Sequence, residues 1–225
     1  MYKKHLLCGA LISILLLTGC GAPVVESTEM VVEPVVTPLI IDIETEEIPE
    51  LNMEKLLDYE DVVAWIASLE GSGADEEQLT QWYAAYNNIK KLLLDEELMV
   101  MLSTLVYNEA DVIEGEQSEM ERAAVIWCVM NRVDAGYSIY DATNVAIKDV
   151  VTQEEQFAYT DDEYREYIGL VADVLMRWCL EDTGIEVYRI LPEEYYYFYV
   201  DGEHNFFRNE EDTVWEWSCI NPYIQ

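Results

Sequence analysis

Apolar residues recur at helical spacing along much of this chain, and that periodicity constrains its fold more than any other feature. The pattern predicts five helices, at about residues 51–70, 75–94, 96–109, 118–133 and 161–180. Asp95 is placed to cap the third helix, because a side-chain oxygen there can accept the unpaired N–H groups of the first turn. Ser118 and Glu121 have the spacing of a capping box for the fourth helix.

Two runs of β-branched and aromatic residues follow the helical part of the chain. Ile185–Ile190 and Tyr195–Val200 predict an antiparallel pair of strands. Together with the helices, they indicate an α+β fold that is mostly α, with one small antiparallel β element.

Residues 1–19 have the pattern of a secretory signal peptide. Lys3 and Lys4 precede an apolar run that is shorter than the roughly 20 residues needed to span a bilayer. The run ends in Leu17-Thr18-Gly19-Cys20, which resembles a bacterial lipobox and implies cleavage before Cys20 and attachment of lipid to its sulfur. An uncleaved N-terminal anchor is the alternative. Both arrangements place the remaining chain outside the cytoplasm, at the cell membrane.

Residues 20–50 combine four prolines with many acidic side chains, a composition that predicts a flexible acidic linker. The valine-rich stretches of this segment leave a stray strand as the alternative. We assign residues 51–94 to a helical segment and residues 95–225 to the C-terminal domain.

The charge of the chain is strongly unbalanced, with 46 Asp and Glu against 12 Lys and Arg and a formal net charge of −34. This excess argues against a nucleic-acid partner, because binding to phosphates needs a basic surface. It also disfavours contact of the folded part with an anionic membrane surface. The 16 Tyr and 6 Trp argue against a disordered acidic chain, which usually has few aromatic residues.

Five cysteines are present, and Cys8 and Cys20 belong to the signal. The other three, Cys128, Cys179 and Cys219, are an odd number, so at least one has no partner within the chain. Apolar neighbours predict that Cys128 and Cys179 are buried small hydrophobic residues, and a bridge between these two stays open.

Glu109 ends an apolar helix, within the string Leu105–Ala110. A carboxyl at the inner end of such a helix is partly removed from water, which disfavours its charged form and raises its pKa. A raised pKa suits a general acid near neutral pH, so Glu109 is the candidate catalytic residue.

Four short strings occur in a fixed order from Glu109 onwards. They are Tyr107–Ala110, Asn131–Asp134, Gln156–Tyr159 and Asp201–Arg208. In order and composition they resemble the SleB-like cell wall hydrolases, a family that includes spore cortex-lytic enzymes, and the resemblance covers roughly Asp95 to Tyr223. The chain departs from many relatives after Glu109, where its loop is longer and more acidic and where Asp111 replaces Gly or Arg.

The resemblance implies a lysozyme-like domain that cleaves the glycan strand of peptidoglycan between N-acetylmuramic acid and N-acetylglucosamine. It implies Glu109 as the acid and base of a lytic transglycosylase, in which the sugar's own 6-hydroxyl closes an anhydro ring. No metal or other cofactor takes part, and a single carboxyl suffices because the nucleophile is intramolecular. A hydrolase would need a second carboxylate, for which the nearby candidates are Asp111, Glu114, Glu116 and Glu119.

The same resemblance implies sugar-contacting residues on the later strings. Amide and imidazole groups would bond sugar hydroxyls or acetamides, and aromatic faces would pack on sugar rings. These residues are Asn131, Gln156, Phe157, Tyr159, Tyr197, His204 and Asn205. For each of them a structural role is the alternative, namely core packing for the aromatic residues and the clasp of a loop or turn for the polar ones.

Three other functions fit the sequence less well. A zinc amidase usually has His ligands, and His204 is the only His after the signal. A Cys–His peptidase would need a thiol such as Cys128 beside His204, and the apolar neighbours of Cys128 disfavour this. The last alternative is a non-catalytic surface lipoprotein that binds glycan or a partner, for which the strong negative charge leaves room.

Overall fold

Six helices and one two-stranded sheet make up the part of the chain that the structure describes. The computed structural model describes residues 56–69, 72–154, 156–158, 160, 162–217 and 221–223. Helices α1 to α6 span Tyr59–Leu69, Glu76–Leu93, Glu96–Ala110, Ser118–Asp134, Thr143–Val151 and Ile168–Glu181. Strands β1 and β2 span Tyr195–Val200 and Asn205–Asn209 and pair antiparallel. The predicted α+β, mostly α fold class is confirmed.

Several sequence predictions fall outside the described residues. They are the signal peptide at 1–19, the lipidation residue Cys20, the linker at 20–50, and the residues Tyr159 and Cys219. Among the described helices, none combines the length and the apolar character needed to cross a membrane.

Helix α4 forms the centre of the fold because its middle is apolar on every side. All residues from Ala123 to Met130 are buried, and Trp127 is completely removed from solvent. Helices α3, α5 and α6 and strand β1 pack against α4. The ends of these elements are therefore held together by one shared core.

The helical segment before α3 is packed into the same core. Leu57, Ile89 and Leu92 are buried in one cluster with the apolar residues of α4 and α6. The backbone N–H of Leu57 also donates to the buried carboxylate of Asp173 on α6, at 2.7 Å. Helix α1 begins later than predicted, after a short stretch without regular structure. The described part of the segment thus contacts the C-terminal domain through both apolar packing and a hydrogen bond.

Two helices differ from the sequence prediction. Helix α6 begins at Ile168, not near residue 161, because side chains of α3 accept the backbone N–H groups of the preceding stretch. The N–H of Tyr164 donates to Thr104 Oγ1 at 3.0 Å, and that of Tyr167 donates to Ser103 Oγ at 3.1 Å. Helix α5 is absent from the prediction, and its apolar face is buried against α3 and α4.

The capping box predicted for α4 is wrong. No side chain caps this helix, and the hydroxyl of Ser118 donates instead to the carbonyl of Gly115. The carboxylate of Glu121 is buried and bonds to His204 and Asn205, which follow β1 in the chain. The local spacing is that of a cap, but distant partners occupy the carboxylate.

The predicted strand pairing is half right. Strand β1 forms where predicted, but it pairs with β2 across a tight turn, and Ile185–Ile190 forms no strand. Ile190 is instead buried in the core. The turn is closed by Asp201, whose carboxylate accepts the backbone N–H groups of Glu203 and His204. The strand β2, which follows β1 directly, is thus the partner of β1 in place of the predicted Ile185–Ile190.

Candidate active site

Glu109 lies in the last turn of α3, where the helix meets the loop after α5. Its Oε1 accepts a hydrogen bond from the backbone N–H of Ala158 at 2.5 Å. Partial burial raises the pKa of the Glu109 carboxyl, while the N–H of Ala158 and the charge of Arg132 act in the opposite direction. The net shift is upward, so this carboxyl keeps its proton to higher pH than an ordinary glutamate does.

The backbone of Ala158 is held on both sides by the end of α3. While its N–H donates to Glu109, its carbonyl accepts from Asn108 Nδ2 at 2.9 Å. The same Nδ2 donates to Thr160 Oγ1 at 3.2 Å. Adjacent side chains of α3 therefore fix the loop that carries Gln156 and Phe157, and the loop in turn orients the Glu109 carboxyl.

The guanidinium of Arg132 is buried against aromatic rings beside this loop. Its Cζ atom is 4.5 Å from the ring centre of Phe157 and 5.4 Å from that of Tyr197. Its Nε donates to the carbonyl of Tyr196 at 2.6 Å, and a bulge in β1 at Tyr196 frees this carbonyl from the strand ladder. Its Nη1 is buried and has no hydrogen-bond partner among the described residues. A positive charge with unused donor capacity thus lies within electrostatic reach of Glu109.

The two predicted aromatic residues that the structure describes, Phe157 and Tyr197, are half-buried, and both rings lie against the guanidinium of Arg132. The hydroxyl of Tyr197 is hydrogen-bonded to that of Tyr137 at 2.7 Å. The ring of Phe157 packs against Phe198, with 6.1 Å between ring centres. Both rings combine a structural contact with some exposed surface, so core packing and sugar contact are compatible roles here.

The buried carboxylate of Glu121 joins the turn after β1 to α4. Its Oε1 is 2.8 Å from Nδ1 of His204, and its Oε2 accepts the backbone N–H of Asn205 at 2.7 Å. Nδ2 of Asn205 donates to the carbonyl of Glu109 at 3.2 Å. The hydrogen bond to Glu121 raises the pKa of His204, whose side chain is half-exposed. These contacts connect the hairpin to the end of α3.

Two predicted site residues have other surroundings. Asn131 is buried and fastens the segment before β1, because its amide donates to the carbonyls of Pro192 at 2.7 Å and Tyr195 at 2.9 Å. Arg189 donates to the amide oxygen of the same side chain. Gln156 is exposed, and its side chain has no hydrogen bond to a described residue. Among the predicted residues, Glu109 is bonded to Asn205 and to the residue that follows Phe157. Tyr197 is linked to Phe157 through Arg132, and His204 is linked to Asn205 through Glu121.

The acidic residues after Glu109 are engaged elsewhere or face solvent. Asp111 accepts from the hydroxyl of Tyr167 at 2.6 Å, and Glu119 pairs with Arg122 at 2.5 Å. The two candidate second carboxylates that face solvent are Glu114 and Glu116.

Cys128 and Cys179 are buried, as predicted, and both are free, so the bridge that the sequence left open does not form. Burial raises the pKa of both thiols to about 12. The thiol of Cys128 donates to the carbonyl of Tyr196 at 2.9 Å. A thiol with so high a pKa is not a nucleophile at neutral pH, which weighs against a Cys–His peptidase.

Sequence reasoning missed two residues that shape the site. Asn108 lies in the same short string as Glu109, and this adjacency was the available signal. Glu121 lies between the buried residues Met120 and Ala123, and a carboxylate at such a position needs a buried partner. Its spacing from Ser118 suggested a helix cap instead.

A cavity of about 420 Å³ lies against the first half of α3, where Val100 and Thr104, Thr160 and several acidic side chains line it. Glu109 does not line this cavity, and the link between the two is Thr160, whose hydroxyl accepts from Asn108.

No group of His, Cys, Asp and Glu side chains suited to a metal ion occurs in the described part of the chain. Comparisons with protein-family models, with curated proteins and with solved structures find no match for this chain.

Proposed function

We propose that this chain is a peptidoglycan-cleaving enzyme, a lytic transglycosylase that acts between N-acetylmuramic acid and N-acetylglucosamine with Glu109 as acid and base. The observation that supports this most is the placement of Glu109. Its carboxyl is half-buried, its pKa is raised, and one of its oxygens is fixed by a backbone N–H. The partly exposed rings of Phe157 and Tyr197, both beside Arg132, offer surfaces for the sugar rings of a polymer.

The hydrogen bond from Ala158 gives the two oxygens of Glu109 different tasks. Oε1 accepts the N–H, so the neutral acid carries its proton on Oε2, which has no partner among the described residues. Oε2 donates this proton to the glycosidic oxygen as the bond from that oxygen to C1 of N-acetylmuramic acid breaks. The carboxylate then takes the proton of the 6-hydroxyl, whose oxygen bonds to C1 and closes the anhydro ring.

Two groups stabilise the carboxylate that exists between these steps. The N–H of Ala158 and the positive charge of Arg132 both favour the charged form of Glu109. Partial burial favours the protonated form, so the same carboxyl can serve in both protonation states. The transglycosylase is preferred to a hydrolase because Asp111 and Glu119 are already bonded to other side chains.

We extend the proposal to the fold family and the location. A mostly helical domain with the acidic residue at a helix end, close to a small hairpin, supports a lysozyme-like fold. The string Leu17–Cys20 supports a lipoprotein anchored outside the cytoplasm by lipid on Cys20. Such an anchor would hold the enzyme close to peptidoglycan.

Purified peptidoglycan digested by the wild type and by Glu109→Gln, followed by mass spectrometry of the products, tests the function. We expect anhydro-muropeptides from the wild type and a loss of about 100-fold or more in Glu109→Gln, the size typical of a missing general acid. Glu77→Gln is the control, since it removes an exposed carboxylate on α2 that has no role in either mechanism, and it should cleave as the wild type does. Reducing-end products would show a hydrolase, and no products from the wild type would favour a non-catalytic binding protein.

A further inference from the structure

The contact between Glu121 and His204 lies outside the acid–base chemistry of Glu109. Glu121 is 1% exposed, and both its oxygens are engaged, by His204 Nδ1 and by the backbone N–H of Asn205. A carboxylate is stable in the core only where such partners replace the lost water. Glu121 therefore fastens the turn between the two strands to α4.

This contact decides which edge of the His204 ring faces outward. Nδ1 is held against a buried side chain, and the His204 side chain is 46% exposed, so the solvent-facing edge carries Nε2. In the imidazolium form both ring nitrogens are donors. The pKa of His204 is raised by the hydrogen bond that its Nδ1–H donates to Glu121, and the carboxylates of Asp201 and Glu203 act in the same direction. The ring thus keeps an outward Nε2–H donor to higher pH than an ordinary histidine.

Asn205 connects this pair to Glu109. Its backbone N–H is bound by Glu121, and its Nδ2 donates to the carbonyl of Glu109. Its Oδ1 is buried without a partner among the described residues. Because Asn205 is covalently adjacent to His204, one hydrogen bond fixes the histidine's position relative to the end of α3.

We propose that Glu121 is a positioning residue that holds His204 on the turn that Asn205 joins to the end of α3, with Nε2 donating to an acceptor oxygen of the glycan. The acceptor is an acetamide carbonyl or a carboxylate, the two strong acceptor groups of a muropeptide. The inference rests on the proposed function and adds a substrate contact to it. Glu121 itself touches no substrate, since it is buried.

Histidine-ring NMR of the full chain tests the first half of this proposal. The chain has two histidines, His5 and His204, so the variant His204→Gln assigns both signals. We expect Glu121→Gln to lower the titration midpoint of His204, because it removes the charge that stabilises the imidazolium. Glu203→Gln is the matched control, because it removes an exposed carboxylate that is not bonded to the ring, and its shift should be smaller. An unchanged midpoint in Glu121→Gln overturns the positioning role.

Ligand titration tests the substrate contact without turnover. Purified muropeptides and, separately, oligomers of N-acetylglucosamine are added to the Glu109→Gln variant while the His204 signal is followed. A shift with both ligands identifies the acetamide as the acceptor, and a shift with muropeptides alone identifies the carboxylate. No shift with either ligand overturns the contact.

Kinetics on solubilised peptidoglycan separates positioning from general structural damage. We expect His204→Gln to raise KM by about tenfold with a smaller effect on kcat, as for the loss of one charge-assisted hydrogen bond. Glu121→Gln should do the same, and the double variant should lose no more than His204→Gln alone. If Glu121→Gln fails to fold, His204→Gln still tests the substrate contact, because it changes a half-exposed side chain. A KM equal to that of the wild type in His204→Gln refutes the contact. If the wild type cleaves nothing, the proposed function fails, whereas the two NMR experiments still judge the placement of His204.

Discussion

Replacement of Asp173 by Ala should destabilise the fold more than replacement of any surface carboxylate. Asp173 and Arg177 form an ion pair on α6 in which both side chains are fully buried. The same carboxylate accepts the backbone N–H of Leu57 at 2.7 Å and the hydroxyl of Tyr223 at 2.8 Å. Its removal leaves the cation of Arg177 in the core without this carboxylate, which costs about 3–5 kcal/mol of unfolding free energy.

For a chain of this size, about 2–4 °C of Tm corresponds to each kcal/mol, so we expect Asp173→Ala to lower Tm by about 6–20 °C. Urea unfolding followed by circular dichroism gives the free energy itself. Glu97→Ala is the control, because Glu97 is exposed and its pair with Lys148 should contribute at most about 1 kcal/mol. Replacing both Asp173 and Arg177 by apolar residues should cost less than Asp173→Ala alone, because neither of the two charges then remains in the core. A loss below about 1 kcal/mol in Asp173→Ala would refute the reasoning.

Three further predictions concern the site. Because burial raises the pKa of Glu109, cleavage that needs the protonated acid should decline only as pH rises through that raised value. Arg132→Met should move the decline to still higher pH in a rate–pH profile, and a shift to lower pH would contradict the assignment. Iodoacetamide at pH 8 should leave Cys128 and Cys179 unmodified in the native chain and alkylate both in urea, as read by peptide mass mapping. Asn108→Ala should reduce cleavage by about tenfold while unfolding free energy falls by no more than about 1.5 kcal/mol, since it loses exposed hydrogen bonds that orient a loop. If the loss of cleavage is no larger than the loss of folded protein calculated from the unfolding free energy, Asn108 has a purely structural role.

The sequence predicted well those elements that local patterns determine. The carboxylate of Asp95 caps α3 as expected, accepting the N–H of Leu98 at 3.1 Å. Helices α2, α3 and α4 lie close to their predicted bounds because their apolar faces or their caps are encoded within each segment. Prediction failed where a distant side chain competes with the local pattern. The serine and threonine on α3 that delay the start of α6 are an example, and no local periodicity reveals them.

The same contrast between local and distant contacts applies to the site, where Glu109 could be predicted and the residues that hold its surroundings in place could not. Glu109 was predictable because its helix end and the string around it lie within a few residues. Glu121 was not, because its partner His204 is 83 residues further along the chain. The bulge at Tyr196, which turns a carbonyl towards Arg132, likewise depends on how β1 meets β2 and not on the strand sequence alone.

Cationic side chains lie near Glu109, although the chain as a whole is strongly acidic. A chain with a formal charge of −34 should repel an anionic wall polymer and should make a nearby carboxylate costly. Yet two of the few arginines, Arg122 and Arg132, lie near the two ends of α4. Arg122 donates to carbonyls just after α3, at 2.8 Å for Ile113, and Arg132 lies beside the loop that binds Glu109. Arg122 pairs with Glu119 and His204 with Glu121, so Arg132 is the one of these three cations whose charge acts on Glu109. It offsets the acidic surface at this position, so the net charge of the chain does not by itself argue against an anionic glycan there.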